Sequence, residues 1–84
     1  LSYEEKKEIK RLKNKFQNQV SKSEERISEL EEEIGKMDVI LAELDYNNED
    51  LANKTLAQYE KLKKELDEQM VLWEEGTEKL VELD

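Results

Sequence analysis

Apolar residues return every seven positions along this chain, in two runs whose phases do not match. In the first run Ile9, Phe16, Ser23, Leu30, Met37 and Leu44 occupy one heptad position, d, while Lys13, Val20, Ile27, Ile34 and Leu41 occupy a. Nine of these eleven positions are apolar, Lys13 and Ser23 being the exceptions. A repeat of this period winds an α-helix into a coiled-coil seam. In the second run Ala52, Tyr59, Leu66, Trp73 and Leu80 fall at d, and Leu56, Lys63, Met70 and Thr77 at a. Leu44 and Ala52 are eight residues apart, one more than a heptad, so one continuous helix cannot present both seams to one partner. The chain must break between them.

The break has its own signal. Asp45-Tyr46-Asn47-Asn48 is the densest cluster of turn-favouring residues. Asn47 or Asn48 can cap a new helix, with Glu49 and Asp50 in its first turn at the positive end of the dipole. At the other end, Ser2-Tyr3-Glu4-Glu5 has capping-box spacing, in which the Ser2 hydroxyl accepts a free N–H and Glu5 reaches back. The expectation is an all-α fold of two long helices forming an antiparallel coiled-coil hairpin. The helices run over roughly residues 3–45 and 48–82, with the turn at about 45–48. A short connection makes the neighbours antiparallel. Gly35 and Gly76 lie inside the helical pattern, each at a cost of about 1 kcal/mol against Ala, and mark places for a bend or fraying.

Pairing a layers with d layers leaves two registers open. One sets Val20 near Trp73, Ser23 near Met70 and Ile27 near Leu66, and the other sets Ile27 near Trp73. In either, Ile27→Asp is expected to unfold the rod. Lys13 and Lys63 interrupt the seam at a, where they either fix the register or lay their stems along it with the ammonium in water. Leu12 and Leu62 stand one place away to cover those stems.

Composition limits what such a rod does. Charged residues are 44% of the chain, with two Gly and no Pro, which suits a long helix rather than a globular core. Cysteine and histidine are both absent, which removes thiolate chemistry, disulfides and the commonest general base and metal ligand. There is no phosphate-binding loop and no pocket in which paired carboxylates could be tuned, so the chain is not expected to be an enzyme and no catalytic, cofactor-binding or metal-binding residues are assigned. Acidic runs such as Glu31-Glu32-Glu33 read as a solvated helix face. No apolar run approaches the ~20 residues of a membrane span, and no signal peptide is evident, so a cytoplasmic protein is expected. The chain opens on Leu1 rather than Met, as a piece of a longer protein does.

Charge is unevenly shared. Residues 1–22 hold seven Lys or Arg and three Glu, a net +4, while the rest hold seven Lys or Arg and twenty Asp or Glu, a net −13. Lys6, Lys7, Lys10, Arg11, Lys15 and Lys22 form a basic strip, with Lys7, Arg11 and Lys15 at i, i+4 spacing. Such a strip can neutralise phosphates of DNA or RNA, and with no base-reading motif beside it, binding would follow the backbone. It can equally complement an acidic arm alongside, since the hairpin sets the start of helix 1 against the acid-rich end of helix 2. Tyr3 is the one aromatic near the strip placed to stack on a base; Phe16, Tyr59 and Trp73 fall on the seam and read as core. Tyr46, at the turn, can serve a contact at the hairpin tip or pack on Leu44 or Leu51.

The opening Leu1-Ser2-Tyr3-Glu4-Glu5-Lys6-Lys7-Glu8 and the late Trp73-Glu74-Glu75 resemble the C-terminal coiled-coil extension of ABC-F ATPases of the Uup type. The likeness covers the chain in order and length. It departs at Gly76, where that family often has Leu, and at the turn, which lacks the family's Asp-Pro. The resemblance implies a C-terminal arm on a chain with two ATP-binding cassettes, which would bind ATP and magnesium outside these residues. It also implies work on the ribosome in translation and contact with nucleic acid, DNA or ribosomal RNA. A reading of another class stands beside it: a structural or protein-interaction coiled coil, self-associating into a four-helix dimer. Clustering of the off-seam residues Val39, Ile40, Val71, Leu72 and Val81 on one face would favour that second reading.

Overall fold

Ser2 starts the first helix. Its hydroxyl accepts the Glu5 N–H at 3.1 Å, and Glu4 and Glu5 lie in the first turn, where negative charge suits the dipole. Only this half of the capping box forms; the Ser2 N–H stays at the exposed end of the helix. The computed structural model describes residues 1–84 and contains two helices, α1 (Tyr3–Glu43) and α2 (Glu49–Leu83). They pack as an antiparallel hairpin 68 Å long and 16 by 14 Å across.

Side chains of the turn make it short. Leu44 adopts extended backbone and ends α1. The Asp45 carboxylate accepts the Asn47 N–H at 3.0 Å, and its carbonyl accepts the Asn48 N–H at 3.2 Å. The Asn48 side chain then caps α2 by accepting the Leu51 N–H at 3.3 Å. The Tyr46 hydroxyl donates to the Leu41 carbonyl at 2.7 Å, closing one of the acceptors left free at the end of α1.

On α1 the seam is the one read from the heptads. Phe16, Ser23, Leu30 and Met37 are buried, and Val20, Ile27, Ile34 and Leu41 half-buried. Ser23 fits because its hydroxyl is satisfied within the helix, by the carbonyls of Gln19 at 2.8 Å and Val20 at 3.0 Å.

On α2 the seam is rotated by one residue from the expected phase. Ala52 is buried and Tyr59, Leu66 and Leu80 are half-buried, as the d positions require. The companion column is Thr55, Leu62, Gln69, Gly76 and Leu83, all buried or half-buried. Leu56, Lys63 and Met70, read as a positions, are exposed. The rotation replaces Lys63 with Leu62 in the seam and so avoids burying an ammonium. Lys63 instead lies over the Tyr59 ring, 5.3 Å from its centre.

The rotation also changes the register. Val20 packs against Gly76, Trp73 reaches Glu24, and Lys13 reaches Asp84. The register falls between the two expected: Gly76, not Trp73, meets Val20, and Trp73 stands level with Glu24 while sharing a groove with Ile27. Gly76 is neither a bend nor a frayed point. Helix α2 runs through it, and the missing side chain is what lets α2 approach Val20 and the Phe16 carbonyl.

Candidate nucleic-acid interface

The basic strip lies on the first five turns of α1. Lys6, Lys7, Lys10, Arg11, Lys15 and Lys22 are all exposed. Helical spacing puts Lys7, Arg11 and Lys15 on the outward side, while Lys6, Lys7 and Lys10 join Tyr3 around one shallow depression. Tyr3 is 79% exposed, so its ring is available for stacking.

Expected neutralisation by the acidic end of α2 is confined to the margin of the strip. Lys13 lies with its stem along the seam and its Nζ 3.3 Å from the Asp84 carboxylate. Lys6, Lys7, Lys10 and Arg11 stand in the turns of α1 before Lys13, and none of them pairs with a residue of α2. Arg11 is held within its own helix by Glu8, with Nε 3.0 Å from the carboxylate. That bond raises the guanidinium pKa and lowers that of Glu8. The Lys15 ammonium sits 5.3 Å from the centre of the Phe16 ring. Lys6, Lys7, Lys10, Lys15 and Lys22 have no carboxylate within 4.0 Å. The strip therefore presents five lysines free of ion pairs and one arginine already shared with a glutamate.

Farther along, three polar contacts clasp the helices. Arg26 donates through Nε to Glu65 at 2.7 Å and through a second nitrogen at 3.0 Å, and binds Glu29 at 2.9 Å. The paired Arg26 holds the Glu65 carboxyl below its ordinary pKa. Gln19 Nε2 donates to the Leu72 carbonyl at 2.8 Å, and Trp73 Nε1 donates to Glu24 at 2.9 Å. Sequence reasoning missed these contacts because they depend on the register. Arg26 and Glu65 flank the seam one place from Ile27 and Leu66, the signal from which the pair is recognisable once the register is known. Trp73, expected in the core, stands at its edge, with its indole N–H fixed and its ring 36% exposed.

No family of known proteins, no curated protein and no solved structure matches this chain. The chemistry of the surface must be read from its own residues. No three acidic groups converge to hold a metal ion, and the surface depressions are open and shallow. No helix is long and apolar enough to cross a membrane. The off-seam apolar residues do not gather on one face: Val39 and Val71 lie on the backs of their helices, Val81 is near the base, and Ile40 and Leu72 flank the seam far apart along the rod.

Proposed function

We propose that this chain is a non-catalytic arm that binds and positions nucleic acid through the base of its hairpin. Lys6, Lys7, Lys10, Lys15 and Lys22 would contact phosphates of DNA or ribosomal RNA, with Arg11 joining them by exchanging Glu8 for phosphate. The observation that carries this reading is the set of five exposed lysines with no carboxylate partner at one end of a rod that is otherwise acidic. Phosphate contacts of this kind fix position and orientation, not base sequence. The net −13 of the remaining residues repels the same backbone, so only the base can approach it and the arm points away. Tyr3 adds a ring for stacking on an unpaired base beside Lys6 and Lys7.

The resemblance of the first eight residues and of Trp73-Glu74-Glu75 to the ABC-F extension gives this arm a setting. It would be carried in the cytoplasm by a chain whose cassettes bind ATP and magnesium, and would act at the ribosome or on DNA. Fluorescence anisotropy with labelled duplex DNA, ribosomal RNA stems and single strands tests the reading. Wild type is expected to bind, and Lys7→Glu combined with Arg11→Glu and Lys15→Glu is expected to abolish binding while helicity is unchanged. Equal binding by the charge-reversed variant would sink the proposal.

A further inference from the structure

Helix α2 carries apolar side chains that its seam with α1 does not use. Two columns, from Ala52 to Leu80 and from Thr55 to Leu83, face α1. The one-residue rotation leaves the column of Leu56, Lys63 and Met70 outside, with Leu56 and Met70 each 40% exposed and Lys63 laid over the Tyr59 ring. Next to Met70, Trp73 is 36% exposed, and Ile27 of α1 is half-buried. Glu24, Ile27, Ser28, Met70 and Trp73 line an open groove along this side of the rod. A coiled-coil pair needs two columns, and Met70 and Trp73 beside Ile27 widen the apolar stripe at the middle of the rod toward that of a helix in a larger bundle.

We propose that this face binds a second copy of the chain, with the two rods antiparallel, to give a four-helix dimer. Charge selects both the occupant and its direction. Rods laid in the same direction would set two +4 segments side by side and two acidic tips side by side. Reversed, the base of one rod, with Lys7 and Lys10, runs along the tip of the other, with Asp38 and Glu49. Lys10 and Asp38 sit four heptads apart on the same flank of α1, the flank of Glu24 and the groove. The dyad then falls near Met70 and Trp73, which meet their own copies at the centre beside Glu24, whose carboxylate accepts the Trp73 indole N–H, while the other charges form the rim. The dimer covers lysines assigned above to phosphate, so nucleic acid and the second copy compete for the base.

Sedimentation equilibrium of the 84-residue chain without nucleic acid, from micromolar to millimolar, tests this. Salt at about 0.15 M screens the repulsion between two −9 chains beyond about 8 Å and leaves close pairs intact. The mass is expected to rise from 10.0 kDa toward twice that value. Met70→Lys, at an exposed position outside the hairpin seam, is expected to keep the helical circular dichroism and raise the dimer dissociation constant about tenfold or more. Asp38→Lys with Glu49→Lys is expected to weaken the dimer, and adding Lys7→Glu and Lys10→Glu to restore it. A chain monomeric over the whole range would overturn the proposal. So would a dimer indifferent to Met70→Lys, or a charge swap that restores nothing.

Discussion

Gly76 lies so close to Val20 that a Cβ at position 76 would stand 2.8 Å from Val20 Cγ2 and 3.4 Å from the Phe16 carbonyl oxygen. The absent side chain sets the separation of the helices at the base of the rod. The Val20 methyl is on a short β-branched side chain with little rotamer freedom, so it does not swing away.

Gly76→Ala is therefore expected to destabilise the hairpin despite the better helix propensity of alanine. Overpacking costs about 1–3 kcal/mol against a propensity gain of about 1 kcal/mol, a net loss of about 1 kcal/mol. Gly35 has nothing within 4 Å of a Cβ, and Gly35→Ala is expected to stabilise by the full propensity difference, about 1 kcal/mol. Urea unfolding followed by circular dichroism reads both, and equal signs would contradict the close approach at Gly76. Adding Val20→Ala to Gly76→Ala should recover part of the alanine gain.

The core is thin, and its strength is concentrated. Leu30 is the one large apolar side chain with no exposed surface. Leu30→Ala is expected to cost about 2–5 kcal/mol, a large share of the stability of a small domain. Val71→Ala, at a residue 61% exposed, should stay within about 0.5 kcal/mol. Thermal unfolding of the two variants measures the contrast.

The heptads made the two helices and the α1 seam legible in the sequence, and the capping-box spacing made the Ser2 cap legible, though only its Ser2 half forms. The α2 phase was not, because its candidate columns tie: Leu56 and Met70 favour one, Leu62 and Leu83 the other. What decides between them is tertiary, the exclusion of Lys63 and the fit of Gly76 against Val20, and neither is visible from one helix alone. The basic strip was legible as a composition. That its lysines lack carboxylate partners was not, because pairing depends on the register. Lys13 meets Asp84, whereas Lys6, Lys7 and Lys10 meet no carboxylate of α2.

The Arg26–Glu65 clasp gives a pH signature. The folded Glu65 pKa is depressed by the guanidinium, so its contribution is present above the ordinary carboxylate value and is lost as pH falls through the folded value. Comparison with Glu65→Gln isolates it from the other carboxylates. The melting temperature of wild type is expected to exceed that of the variant at neutral pH, with the gap closing in acid below the usual carboxylate range. A gap that persists in acid would show that the ionised pair is not its source.

Tyr59 gives the opposite sign. The Asp38 carboxylate beside its hydroxyl, then burial, raises its pKa above the ordinary phenol value. A raised folded value means stability that is full below the unfolded pKa and lost as pH rises through the folded one. Asp38→Asn is expected to move one tyrosine titration to lower pH in the ultraviolet difference spectrum. An unchanged titration would remove Asp38 as the cause.

The salt dependence of nucleic-acid affinity tests the central claim most directly. Each lysine that neutralises a phosphate of a duplex releases counterions and contributes a slope of about −0.9 to log K against log salt. Five free lysines, joined by Arg11 when it exchanges Glu8 for phosphate, predict a slope of about −4 to −6 for wild type binding duplex DNA. Affinity that does not change with salt, or no binding at the lowest salt, would contradict the account of the base as a phosphate contact.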